Sequence, residues 1–250
     1  MKKIFMLVCI MLFVGVVNDC EASTFADNFN DGNTDGWSAY SPYPGRVDFG
    51  NWRIEDGIVK QDTGGDHYKF LVDNNIMSSQ SIEAKVLWHD NGYAGITVWY
   101  QDDKNWVDVF YPYGIGFRVM EVIDGNFYYG DYPTIFSERK WQDLKIDANS
   151  ITGELAIYLD DEYIATHTVV TPNRTGLSGI SSGNAGGSFD DFSLTSKPIL
   201  VGPPTKLNQC TKKGWKTFNN PSFKNQGACV SYVQKAILKK IKKAIKNANK

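Results

Sequence analysis

Between residues 23 and 197 apolar and polar positions alternate in short runs, and almost nothing has helical period. The alternation predicts strands over residues 52–55, 58–61, 81–88, 94–101, 106–111, 117–123, 141–147, 155–159 and 189–195, because a strand turns successive side chains to opposite faces. The pairs Asp56-Gly57, Asn91-Gly92 and Asp124-Gly125 punctuate these runs. Each suits a tight hairpin turn. Strands this short and this numerous predict an all-β fold, an antiparallel sandwich or jelly roll.

The period changes near the C-terminus. From Ala228 onward Val230, Val233, Ile237, Ile241, Ala244 and Ala248 recur at helical spacing, and Lys235, Lys239, Lys242, Lys243 and Lys246 cover much of the remainder. That is an amphipathic basic helix. Pro198, Pro203 and Pro204 mark a linker before it. The expected organisation is a leader at 1–22, a β-sandwich at 23–197, a Pro-rich linker at 198–206 and a small helical module at 207–250.

The leader reads as a signal peptide. Lys2 and Lys3 precede an apolar or small run at 4–17, and Ala22 offers a cleavage point. The run is shorter than the ~20 residues of a membrane span. An uncleaved anchor and a lipoprotein acylated on Cys20 are the alternatives, although Asn18 and Asp19 suit the second poorly. Cleavage removes Cys9 and Cys20 and leaves Cys210 and Cys229. In an oxidising compartment an even remainder points to one disulfide, with two free thiols as the alternative. A zinc site does not suit them, since His67, His89 and His167 lie far away in sequence. The expected location is secreted, extracellular or in the cell envelope.

A net charge of −2 conceals two oppositely charged parts. From Ser23 to Asp191 there are 26 acidic and 11 basic residues, so 11 − 26 = −15; from Phe192 onward there are 13 lysines and no acid. Two modules with different tasks, or one docking on the other, follow from this. The lysine helix suits an anionic cell-envelope polymer or membrane surface, or its own acidic sandwich. Nucleic acid is not an expected partner.

Sorting strand faces by alternation gives a candidate ligand site. Ile96, Val98, Tyr100, Val107, Val109, Val119 and Ile123 belong inside, which leaves Trp99, Trp106, Asp108 and Arg118 together on one outer face. Exposed aromatics in a patch mark binding surfaces. The alternative is that a long loop or the C-terminal helix covers this face. The stretch 126–132, with Phe127, Tyr128 and Tyr129, is a second candidate wall or lid. The string Gly179-Ile180-Ser181-Ser182-Gly183 matches Gly-x-Ser-x-Gly, but a nucleophile elbow needs a helix after the turn. Here Asn184-Ala185-Gly186-Gly187 and another strand follow. The chain has no H-E-x-x-H, P-loop or C-x-x-C motif.

Five segments in order, DNFNDGNTDGW (27–37), WRIEDGIV (52–59), YAGITVWYQDDKNWVDV (93–109), WQDLKIDANSITGELAIYLDDEYI (141–164) and SFDDFSL (188–194), carry a family resemblance. Together they resemble the concanavalin-A-like, laminin-G-like jelly rolls, including relatives of the 3-keto-disaccharide hydrolases. The resemblance implies a carbohydrate partner, but the superfamily also holds glycosidases and adhesion domains. It further implies a structural Ca²⁺ tying first and last strands, for which Asp27, Asp31 and Asp190 stand at the matching places. The paired-carboxylate motif of laminarinase-type members, E-x-D-x-x-E, is missing, since no Glu-x-Asp occurs. Asp160-Asp161-Glu162 sits where relatives have a turn. The segment 210–233 resembles a small cysteine-paired module at the ends of exported prokaryotic proteins. The expected function is a secreted, lectin-like carbohydrate binder. A sugar-active enzyme such as a glycoside hydrolase, and an envelope adhesion or structural protein, are the alternatives.

Overall fold

The computed structural model describes residues 24–248 except 42, 44, 46, 47, 62, 66, 90, 91, 113, 114, 135–138, 185, 198–202, 219 and 220. The leader and Pro198 of the linker lie outside the described residues. The chain divides into two compact units between residues 198 and 199.

The first unit is a two-sheet antiparallel sandwich, its strands numbered in chain order. One sheet runs β13 (Glu162–Thr168), β12 (Glu154–Leu159), β11 (Trp141–Asn149), β6 (Gln80–Trp88), β15 (Gly187–Ser196), β4 (Ile58–Gln61) and β3 (Trp52–Glu55), with β1 (Thr24–Asp27) also paired to β15. The other runs β10 (Asn126–Tyr132), β9 (Phe117–Ile123), β8 (Asn105–Pro112), β7 (Tyr93–Asp102), β14 (Leu177–Gly183), β5 (Tyr68–Val72) and β2 (Trp37–Tyr40). The Gly-x-Ser-x-Gly string is strand β14, so Ser181 sits on no elbow.

Alternation builds the core directly. In β6 the residues Ile82, Ala84, Val86 and Trp88 are buried while Ser81, Glu83, Lys85 and Leu87 are less so. Leu144, Ile146 and Ala148 do the same in β11. They face Ile96, Val98, Val107, Val109 and Val119 of the second sheet. Each of these valine, leucine and isoleucine side chains, fully removed from water, contributes roughly 1.5–3 kcal/mol. Trp37 closes one end, its ring 5.0 Å from Phe70 and 4.8 Å from Phe192. At the opposite edges of the two sheets a polar latch joins β9 to β13. Glu121 accepts the backbone N–H groups of Val170 and Thr171, both at 2.9 Å, and lies 3.0 Å from His167 Nε2. Tyr132 of β10 meets His167 Nδ1 at 2.8 Å. Burial alone would raise the Glu121 carboxyl, but these donors outweigh it and hold it below its usual range.

The second unit holds two 3₁₀ turns and helix α1 (Gln226–Ala248). The Asn225 side chain accepts the Ala228 N–H at 2.9 Å, an N-cap that starts the helix. Cys210 and Cys229 form the expected disulfide. With Val233 they make a small core, against which Trp215, Phe218, Phe223 and Val230 pack.

Candidate functional site: the outer face of the seven-stranded sheet

The side chains that do not enter the core leave the seven-stranded sheet on its other face. Tyr93 and Tyr100 of β7, Trp106 and Phe110 of β8, Met120 and Val122 of β9 and Leu71 of β5 form a second apolar cluster there. Gly95 lies among them because the β8 backbone crowds its outer side: a Cβ would stand 2.1 Å from the Val109 carbonyl oxygen.

A charged network sits within this cluster. Lys69 Nζ donates to both Asp108 oxygens at 3.0 and 2.8 Å. Thr97 Oγ1 donates to Asp108 Oδ1 at 2.6 Å, and His67 Nδ1 lies 3.2 Å from Oδ2. The ammonium also rests over the Trp106 ring, 3.5 Å from its centroid, a cation–π contact. The His67 N–H donates to the Tyr93 hydroxyl. Burial alone would push the Asp108 carboxyl up, but Lys69 and His67 outweigh it and hold it down. Burial lowers the Lys69 ammonium, and Asp108 restores part of the loss. Trp106 Nε1 and Ser181 Oγ, both buried nearby, have no hydrogen-bond partner among the described residues.

Three of the four residues assigned to one face do share it. Trp106, Asp108 and Arg118 stand on the outer side, tied by the register pairs Asp108↔Met120 and Phe110↔Arg118. Trp99 does not, which corrects the alternation reading. The ladders of β7 slip beyond Val98 and between Leu177 and Gly179 of β14, and Trp99 has a φ of 54°. The bulge turns Trp99 into the core, fully buried, and sends Tyr100 outward in its place. Nothing in residue periodicity announces a bulge of this kind. Burial is the second correction. Trp106 is 1% and Asp108 0% exposed, so neither is an open platform. Tyr43, in the segment after β2 at one sheet edge, brings its ring to 6.2 Å of Phe127 at the other edge. Tyr43 therefore stands near the β10 edge.

The accessible aromatics belong to β10, the edge strand that the sequence suggested as a wall or lid. Phe127 and Tyr129 are 42% and 57% exposed, with rings nearly parallel and centroids 6.5 Å apart. Their partners across the ladder are Val122 and Met120, which places both rings on the outer face. Beside them Arg118 makes a two-pronged ion pair with Asp131, at 2.6 and 2.9 Å, and its guanidinium lies 5.1 Å from the Tyr129 ring centre. The Arg118 bonds hold the Asp131 carboxyl down. Two aromatic faces next to a fork of donors and a carboxylate can stack on a ring and take its hydroxyls. Lys69 was missed from sequence, because a lone lysine in a strand reads as solvent-facing.

The three aspartates expected to hold calcium each accept an N–H group. Asp27 accepts the Phe29 N–H and the Trp37 indole N–H, both at 2.9 Å. Asp31 accepts the Asn33 N–H and Asp190 the Asp191 N–H. Among the described residues no three His, Cys, Asp or Glu side chains gather as a metal-binding group.

No protein-family model and no curated protein sequence matches the chain. Solved structures do resemble it. The carbohydrate binding module CBM66 from Bacillus subtilis has a TM-score of 0.52 at 17% identity, over 64% of this chain and 96% of that one. A Bacillus licheniformis beta-glucanase has a TM-score of 0.53 at 13% identity, over 70% of this chain and 98% of that one. A sialidase has a TM-score of 0.55 at 11% identity over 70% of this chain, which spans only 18% of the sialidase. At such identities the likeness is one of fold.

Proposed function

We propose that the first unit is a concanavalin-A-like jelly roll that binds a carbohydrate on its outer sheet face, at the β10 edge. The exposed Phe127–Tyr129 pair beside Arg118 and Asp131 carries this reading. Trp106 and Asp108 act beneath it as a sealed foundation. The fold neighbours named as a carbohydrate binding module and a beta-glucanase support a sugar ligand. Binding is favoured over hydrolysis because a glycosidase needs one carboxyl with a raised pKa as acid. Asp108 and Asp131, the described carboxylates in these two clusters, are both held ionised by cations. An exported location fits such a ligand and the disulfide.

Glycan-array screening of the full chain, followed by calorimetry on the best hit, tests this. The Phe127→Ala/Tyr129→Ala double variant is expected to weaken binding roughly tenfold, from about 0.5–1.5 kcal/mol per ring contact. Both rings are exposed, so the fold should survive. If no glycan is retained, or the double variant binds like the parent, the reading is wrong. Release of new reducing ends would turn it into the enzyme reading.

Structural calcium is a separate proposal. What supports it is the β1–β15 pairing, which sets Asp27 opposite Phe192, two positions from Asp190. Calcium is then expected to raise the melting temperature by mass action, and Asp190→Ala to abolish the rise. A melting curve unmoved by chelator means no such ion.

A further inference from the structure

We propose that α1 is a peripheral anchor for an anionic lipid bilayer. The helix outruns its own core. Val230 and Val233 pack against the disulfide loop, but the apolar stripe continues for three more turns. Ile237, Ile241 and Ile245 follow at i+4 spacing, with Leu238 beside them, and all four are 39–56% exposed. At 100° per residue, Lys235, Lys239, Lys242, Lys243 and Lys246 fall on the remaining arc. No acidic residue occurs anywhere after Asp191, so no side chain of this segment neutralises them.

The stripe and the charges must be satisfied together, and that selects the partner. A polyanion would engage the lysines and leave four branched side chains in water. The interface of a bilayer offers acyl chains to the stripe and anionic headgroups to the ammonium groups, while the helix lies in its plane. Among the described residues no helix is long and apolar enough to cross a membrane, so α1 would lie on the surface. The proposal is independent of what the sandwich binds.

Co-sedimentation of the full-length protein with vesicles tests it. Phosphatidylglycerol/phosphatidylcholine vesicles should bind the protein at low salt and pure phosphatidylcholine should not. Binding should be lost near 1 M salt, where the screening length is about 3 Å. Ile241→Ala/Ile245→Ala keeps the charge and uses the best helix former, and should weaken vesicle binding roughly tenfold or more. Lys239→Gln/Lys243→Gln should do the same. Dextran sulfate serves as the polymer probe and should be retained equally by parent and isoleucine variant. Absence of sedimentation with the anionic vesicles overturns the proposal. So does an isoleucine variant that sediments like the parent, because charge alone would then account for binding.

Discussion

Asp108→Ala is expected to cost the sandwich about 3–5 kcal/mol, since it strands the fully buried Lys69 ammonium, which bonds no other carboxylate among the described residues. Removing one partner of a buried pair is far more damaging than removing both. Lys69→Met combined with Asp108→Leu should therefore recover most of the loss. Urea unfolding of the three proteins makes the comparison, and a single-variant loss below about 1 kcal/mol would contradict the pairing. The pH dependence carries the same signature. The Asp108 carboxyl is depressed in the folded state. Its stabilising share is therefore present above the ordinary carboxylate range near pH 4 and lost as pH falls through the folded value. In Asp108→Ala that share of the acid sensitivity should disappear.

The second large effect falls on the other unit. Its buried core is Cys210, Cys229 and Val233, too little apolar surface to hold a unit of this size unaided. The Cys210–Cys229 bridge spans 19 residues. Its removal from a small domain typically costs about 2–5 kcal/mol and often abolishes folding. Cys229→Ser with Cys210→Ser is thus expected to melt most of α1 while leaving the sandwich intact. Loss of far-UV helical signal, with the near-UV signal of the sandwich aromatics retained and only the share of Trp215, its neighbours and the disulfide lost, would show it. An unaltered helical signal and unaltered protease resistance would refute it.

How much of this was legible depends on what each strand buries. Strands β3, β4 and β9 stand where alternation predicted them, and β6 and β11 differ by two residues at most. Each has one face in the core, so hydropathy writes their period. Strand β5 is buried on both faces, Lys69 included, so its alternation vanishes. Strand β14 is nearly all serine and glycine, with little hydropathy to read. The four-residue edge strands β1 and β2 pair with the distant β15 and β5, whereas the equally short β3 and β4 are marked by the Asp56-Gly57 turn that joins them. At the site, Arg118, Trp106 and Asp108 were placed on the correct face. The burial of Trp106 and Asp108 was not legible, because Lys69 and His67, distant in sequence, pack against them. Trp99 failed through one bulge, which shifts every later side chain of its strand to the other face.

The pairing of β1 with β15 sets an order of events for the newborn chain. β15 also lies between β6 and β4, so one strand near residue 190 joins three parts of its sheet. Until residues 187–196 have been made, β1 has no partner and that sheet is two unconnected pieces with open edges. Contacts of this sequence separation close slowly, because the loop entropy must be met before they form. A chain synthesised from its N-terminus thus spends most of its synthesis with unpaired strand edges exposed, the state in which β proteins aggregate and in which chaperones hold them.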